Sequence, residues 1–294
     1  MTPEPRPRRL RQTPALGSAR GRVYAGRPAL RWLEGGLPAR SGTARLALAL
    51  ALAASICGWA ASGPLLGAAL TAASLGPPTA PAALILQGFT VALDPGHGGY
   101  DPGALATGPD GGQLRECDIN LDVCLALRDL LEKAGAVVVM TRTDDTGLLR
   151  PEDIPRYGSA ARAELSRRAE VATAGRPGVF VSVHCNTFPS PTWRGAQTFY
   201  LVGSEESARL AEAIQSELVR VTGETDRLPN TREALFLLGA VSCPAVTVEL
   251  GFLTNPQDLA LLSDPDYRKL CALALFFGLC RYFRLAPAGP GHPG

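Results

Sequence analysis

Histidine is scarce in this chain, with only three among 294 residues. The seven cysteines include no CxxC pair, which argues against a structural zinc knot. The six cysteines that follow the long apolar run are therefore interpreted mostly as buried small hydrophobic residues. Neither an internal repeat nor a second folded domain is visible after that run, and the length suits one sizeable core with appendages.

Charge is absent from Leu46 to Leu93, a run of 48 residues. Its first part is long enough to cross a bilayer as a helix, which takes about 20 apolar residues. The preceding residues 1–45 hold ten arginines and two acids, a net charge of +8 in a chain whose total is +2. Arginines on that side alone predict an N-terminus inside the membrane and a C-terminus outside it. Binding of nucleic acid is the alternative use of the arginines, and the adjacent apolar run argues against it.

The composition divides the chain into five predicted segments. We expect a basic cytoplasmic arm at 1–45, a signal peptide or membrane anchor at 46–75, and a Pro/Ala-rich linker at 76–87. A folded domain is expected at 88–285, followed by a disordered tail at 286–294. The sequence leaves open whether the apolar segment is cleaved or retained.

Short apolar runs alternate with helical patterns within the predicted domain. Strands are predicted at 89–94, 136–141, 179–184, 196–202 and 245–250, and helices at 116–134, 160–174, 205–222 and 264–283. This alternation predicts a single three-layer α/β domain with a mainly parallel central sheet flanked by helices. In such sheets functional groups collect at the carboxyl ends of the strands.

Two of the three histidines lie at such strand ends. His97 follows the first predicted strand in DPGHGG, and His184 ends the third in SVHCN. His292 lies in the tail and is interpreted as a bystander. A lone histidine is more often structural than a ligand, but two at neighbouring strand ends favour a metal site.

A catalytic zinc ion takes three protein ligands and keeps one position for water. Glu116 opens the first predicted helix and is one candidate for the third ligand, although a glutamate there commonly only complements the helix dipole. Asp94, Asp101 and Asp118 are competitors. We expect Asp94 to orient His97 rather than to bind metal itself.

Glu249 is the candidate proton shuttle. It lies at the end of the otherwise apolar strand AVTVEL, where burial of a carboxylate is costly without a function. The alternative interpretation is a strand-end glutamate in solvent.

Several blocks, in this order, resemble the zinc-dependent N-acetylmuramoyl-L-alanine amidases. The resemblance covers nearly all of residues 89–283. The blocks are VALDPGHGGYDPGA, LRECDINLDVCLALRDLLEKAGAVVVMTR, LSRRAEVA, FVSVHCN, GAQTFYL and PAVTVELGFLTNP. A single DPGHGG would be weak evidence for this family, whereas the whole set of blocks in this order is specific to it.

The resemblance implies that His97, Glu116 and His184 bind zinc and that Glu249 is the catalytic acid/base. It implies hydrolysis of the amide between the lactyl group and L-alanine in peptidoglycan, on the outer side of the membrane. Within the family, the pattern is similar to the germination-specific amidases of endospore-forming bacteria, which act in formation of cortex muramic lactam. Any activator protein is unknown.

The chain departs from the family pattern at three positions, which bear on substrate positioning and not on the four core residues: Cys185, Thr173 and Gly239. Asn186 and Arg168 are ambiguous, since each suits a substrate contact or a structural bond. Two other functions stay open: a zinc peptidase or sugar deacetylase, and a catalytically inactive peptidoglycan-binding module.

Overall fold

The structure is a computed structural model, and it describes residues 84–233 and 235–285. The strands in these residues are β1 (Thr90–Pro95), β2 (Leu105–Thr107), β3 (Gln113–Arg115), β4 (Val137–Met140), β5 (Val179–Asn186), β6 (Gln197–Leu201), β7 (Asn230–Arg232) and β8 (Ala245–Phe252). The helices are α1 (Glu116–Lys133), α2 (Ile154–Tyr157), α3 (Ala160–Ala174), α4 (Glu205–Thr222), α5 (Phe236–Ala240), α6 (Pro256–Ser263) and α7 (Pro265–Leu285), with a 3₁₀ turn at Pro151–Asp153.

Six strands form the central sheet in the order β4-β1-β5-β8-β6-β7. The four neighbours β4, β1, β5 and β8 run parallel, β6 runs antiparallel to β8, and β7 is parallel to β6. The prediction of a mainly parallel sheet in an α/β domain is confirmed. Strands β2 and β3 form a separate antiparallel hairpin, which the sequence analysis did not predict.

The central strands are buried on both faces, which explains their nearly continuous apolar sequences. Helices α1, α4 and α7 cover one face and pack on residues such as Val181, Val246 and Val248. A smaller cluster on the other face joins Ala92, Phe180 and Ala245 of the sheet to α3 and α5. Helices therefore flank the sheet on both sides, as predicted.

Alternation along β8 sends its polar side chains to the face with the smaller cluster. Val246, Val248 and Leu250 lie in the larger cluster, and side chains of a strand point to opposite faces in turn. Thr247 and Glu249 consequently point away from α4 and α7. Five of the six cysteines of the described residues are buried, which confirms the interpretation of most of them as buried small residues.

The predicted arm, apolar segment and tail lie outside the described residues, and the five-segment division stays a prediction. In the described part of the chain, no helix has the length and apolar character needed to span a membrane.

Candidate metal centre

Three elements bring the candidate ligands to the carboxyl edge of the sheet. His97 follows β1, His184 lies near the end of β5, and Glu116 is the first residue of α1. Strands β1 and β5 are parallel neighbours, with Asp94 opposite Ser182, so both strands end at the same edge. The three side chains therefore meet, although they are widely separated in sequence.

The turn after β1 depends on glycine because the backbone passes directly beside His184. A Cβ atom on Gly96 would lie only 2.1 Å from Cε1 of His184, closer than atoms can approach. His97 itself has a positive φ of 61°, an uncommon conformation for a residue with a side chain. This strained turn aims the His97 ring at the same point as His184.

The Glu116 carboxylate lies between the two imidazoles. Its Oε1 atom is 3.2 Å from Nε2 of His97 and 3.1 Å from Nδ1 of His184. The three potential ligand atoms lie within 4.8 Å of one another. About a quarter of each histidine side chain is exposed, at 26% and 24%, so the cluster has an open side.

This donor set fits a catalytic zinc ion. Two imidazole nitrogens and one carboxylate oxygen are ordinary zinc ligands, and an open side leaves room for water or substrate. Burial alone would raise the pKa of Glu116, but hydrogen bonds with His184 and His97 hold that pKa well below its usual range. The carboxyl group is therefore ionised, as a metal ligand must be.

Glu116 does more than cap its helix. Its Oε1 atom accepts a hydrogen bond from the backbone N–H of Cys185 at 3.0 Å, and Oε2 accepts one from Ala104 at 2.9 Å. Both donors lie outside α1. The carboxylate is thus held in place by β5 and by the loop before β2.

Asp101, not Asp94, orients His97. Oδ2 of Asp101 lies 2.7 Å from Nδ1 of His97, which leaves Nε2 facing Glu116. Burial would lower the pKa of His97, but hydrogen bonds with Glu116 and Asp101 raise it to about 9. Such a carboxylate–histidine contact fixes the orientation of a metal-binding imidazole.

The expectation for Asp94 is wrong. Its carboxylate accepts hydrogen bonds from Thr141, Ser182 and Arg168, at 2.6, 2.7 and 2.9 Å. Thr141 directly follows β4, Ser182 lies on β5 and Arg168 lies on α3. Asp94 therefore joins the sheet to the helix layer. A fully buried charge requires such pairing, and Asp94 is therefore a structural residue.

Arg168 is also structural in this arrangement. Its guanidinium is 2% exposed and donates to the carbonyl oxygens of Pro95 and His97, in addition to Asp94. These bonds hold the turn that carries His97. Asn186 accepts a hydrogen bond from the backbone N–H of Thr187, which fits the alternative that it stabilises the loop after β5.

A second supporting arginine was missed by the sequence analysis. Arg142 is buried and donates to the carbonyl oxygens of Pro95, Gly96 and Cys117, at distances between 2.7 and 3.0 Å. Its position directly after β4, at the same edge of the sheet, was the available signal. Arg142 fastens the His97 turn to the start of α1.

Asp118 takes no part in the histidine cluster. It lies in a separate group with Cys117 and Asp145. Arg115 pairs with the carboxylates of both Asp118 and Asp145. Within this group Cys117 is buried, Asp118 is half-buried and Asp145 is exposed. Of the competitors for the third ligand position, only Asp101 contacts a candidate ligand directly.

Glu249 lies beside the cluster, opposite His184 in the β5–β8 ladder and opposite Gln197 in the β8–β6 ladder. Its Oε2 atom is shielded from solvent and has no hydrogen-bond partner among the described residues. Burial raises the pKa of Glu249 above its usual range. Buried polar atoms are almost always paired, so an unpaired carboxylate oxygen next to this cluster indicates a functional group.

The fold and the site define an α/β protein with a candidate metal centre and an adjacent buried acid at the carboxyl edge of its sheet. The chain belongs to the N-acetylmuramoyl-L-alanine amidase family, whose family model matches residues 91–281. The family resemblance read from the sequence blocks is confirmed.

Individual relatives agree with this assignment. The germination-specific N-acetylmuramoyl-L-alanine amidase of Bacillus subtilis (strain 168) is 37% identical over 203 residues, covering 69% of this chain and 83% of that protein. Among solved structures, the CwlD amidase from Clostridioides difficile, in complex with the GerS lipoprotein, is 37% identical. Its TM-score is 0.62, and the match covers 67% of this chain and all of that one.

A second solved structure is similar over an equal share of the chain. The catalytic domain of CwlV, an N-acetylmuramoyl-L-alanine amidase from Bacillus (Paenibacillus) polymyxa var. colistinus, is 29% identical with a TM-score of 0.57. This match covers 67% of the present chain and 99% of that domain.

Proposed function

We propose that this chain is a zinc-dependent amidase that hydrolyses the amide between the lactyl group of N-acetylmuramic acid and L-alanine in peptidoglycan. The observation that carries the proposal is the meeting of His97, Glu116 and His184 around one carboxylate oxygen, with Glu249 beside them. Membership of the amidase family supplies the bond and the substrate class.

His97, Glu116 and His184 would hold the zinc ion. When bound, zinc would act as a Lewis acid toward the amide carbonyl and make water more acidic. The residues around the ligands keep the site preformed: Asp101 orients His97, while backbone donors fix Glu116. A preformed site limits the reorganisation needed as the reaction proceeds.

Glu249 would move the proton. Its carboxylate accepts a proton from the attacking water and then donates it to the nitrogen of the leaving L-alanine. Because burial raises the pKa of Glu249, the group is a stronger base than an exposed glutamate and a more effective acid–base catalyst near neutral pH. Its unpaired Oε2 atom is available for this role.

Asp101→Asn tests whether Asp101 supports zinc binding through its contact with His97. The side chain keeps its size but loses the charge that faces Nδ1 of His97, so we expect zinc affinity to fall by about 10- to 100-fold. Competition with a chelator measures this affinity independently of activity. Asp110→Asn, in the turn between β2 and β3, is a matched control. Equal affinities in both variants would show that Asp101 does not support the metal site.

Mass spectrometry of muropeptides tests the reaction itself. The full-length chain should release stem peptides beginning at L-alanine and leave the N-acetyl groups intact, and a zinc chelator should stop this release. Release of acetate would support the sugar deacetylase alternative, and cleavage within the stem would support the peptidase. Binding to peptidoglycan without any cleavage would favour the inactive binding module.

The proposal extends to location and biological role. We propose action outside the cytoplasmic membrane, with the N-terminal apolar segment as signal or anchor. A role in formation of spore cortex is supported by similarity to the germination-specific amidase of Bacillus subtilis. Because the solved CwlD amidase is in complex with a lipoprotein, a lipoprotein is the first class of protein partner to test.

A further inference from the structure

The loop between β5 and β6 presents two large aromatic side chains to solvent. Phe188 is 46% exposed and Trp193 is 47% exposed. Their ring centroids are 5.7 Å apart and the ring planes meet at 66°, in an edge-to-face contact. We call this pair the aromatic shelf. Exposure of aromatic surface has a cost in water, and this adjacent exposed pair is therefore a candidate binding surface.

The shelf is held by the segment that follows β8. The backbone N–H of Phe188 donates to Thr254 at 3.1 Å, and the Asn255 amide donates to the carbonyl of Pro191 at 2.6 Å. At the far end of the loop, Gly195 donates to Asp258 at 2.7 Å. The two rings are thus displayed by an anchored loop, and little ordering is needed when a ligand binds.

The shelf lies at the same edge of the sheet as the candidate metal centre. The guanidinium of Arg227 lies over the Trp193 ring, 5.3 Å from its centroid, and its Nε atom donates to Oε1 of Gln197 at 2.9 Å. Gln197 is opposite Glu249 in the β8–β6 ladder. Contacts from Trp193 through Arg227 therefore lead to Gln197, the residue opposite the proposed catalytic acid/base.

We propose that the aromatic shelf binds the glycan strand, at sugars next to the muramic acid whose lactyl amide is hydrolysed. This inference rests on the proposed function. A sugar ring has an apolar face of C–H groups, which packs against an aromatic ring while the hydroxyl groups stay in water. Phe188 and Trp193 would hold the polymer so that the scissile amide lies against Glu249.

The charges around the shelf favour sugar over the stem peptide. Carboxylates of a stem peptide need free cationic donors, but Arg227 already uses Nε for Gln197 and Nη1 for the carbonyl of Arg194. Arg194 in turn pairs with Glu224 at 3.4 Å. Both guanidinium groups next to Trp193 therefore already bind protein acceptors, whereas the two rings stay open to solvent.

Two substrates separate glycan binding from peptide binding. One is a glycan chain of several disaccharides bearing stem peptides, and the other is a single muramic acid bearing the same peptide. In the full-length chain, Trp193→Ala should raise KM for the glycan chain by about tenfold with kcat within about twofold, which is the pattern of lost ground-state binding. KM for the single muramic acid should not change, because that substrate does not reach the shelf.

Control variants guard against a structural effect. Trp193→Tyr should restore most of the affinity, because it keeps an aromatic face. Phe188→Ala should act in the same direction as Trp193→Ala. Val137→Ala is a control on the edge strand β4, where Val137 is 59% exposed. It should change KM for neither substrate. An equal rise in KM for both substrates in Trp193→Ala would overturn the proposal.

A binding titration separates this proposal from the proposed reaction. Glycan chains stripped of peptide contain no scissile amide, and their binding is followed by tryptophan fluorescence. The tryptophan fluorescence of the full-length chain should change on titration. The change should be lost in Trp193→Phe, which removes one of the three tryptophans and leaves the other two. Cleavage of muropeptides without such binding would overturn the proposal that the aromatic shelf binds glycan, but not the amidase proposal. Binding without any cleavage would support the shelf and contradict the amidase proposal.

Discussion

Glu249→Gln should retain one zinc ion per chain and lose kcat by about 10²- to 10⁴-fold, the range for a general acid/base. Glutamine has nearly the same volume but accepts no proton from water at neutral pH. The substitution also removes a buried carboxylate whose Oε2 atom is unpaired, so the fold should not be destabilised. Turnover of muropeptides and zinc content by elemental analysis are the two measurements.

The matched control is Glu132→Gln, at an exposed position near the end of α1. It makes the same chemical change far from the cluster and should keep full activity. Activity of Glu249→Gln within a few-fold of the parent would remove Glu249 from the mechanism. Loss of zinc together with activity would instead assign it to metal binding.

His184→Ala should lose both stoichiometric zinc and measurable turnover, and His97→Ala should do the same. Each variant removes one of only three protein ligands and leaves a site that zinc binds weakly. Glu116→Gln should also lose zinc, because the charge that lies between the two imidazoles disappears. Zinc content after dialysis, with circular dichroism as a check on folding, gives the answer.

His292→Ala is the control for these ligand variants, since it removes the remaining histidine of the chain. It should bind one zinc ion and cleave at the parent rate. Stoichiometric zinc in folded His97→Ala or His184→Ala would contradict the ligand assignment, whatever the activity of those proteins.

The sequence predicted the main elements of the fold because their signals are strong and local. The helix predicted at 160–174 is α3, and the one predicted at 205–222 is α4, with the same ends. Serine caps each of these helices: Ser159 accepts from the N–H of Arg162, and Ser204 from that of Ser207. The buried strands were equally clear as apolar runs.

The short elements were missed for the opposite reason. The β2–β3 hairpin, the strand β7 and the five-residue helix α5 carry too few residues for a periodic pattern. Their positions depend on tertiary contacts with β6, β8 and α1, which a single sequence does not display.

The grouping of the four proposed core residues at one place could be predicted because parallel strands end at a common edge and the sequence blocks resemble one family. The supporting contacts could not. Asp94 and Asp101 are both close to His97 in sequence, and only the folded turn shows that Asp101 is the one that reaches Nδ1 of His97. The aromatic shelf was missed as well, since isolated aromatic residues in a loop have no periodicity.

The central claim is that one zinc ion at His97, Glu116 and His184 makes this chain an amidase. The most direct test is titration of metal-free, full-length protein with zinc while release of L-alanine-terminated peptides from muropeptides is measured. Activity should rise from background and reach its plateau at one equivalent of zinc. Full activity without metal, or cleavage of any other bond at the plateau, would contradict the account.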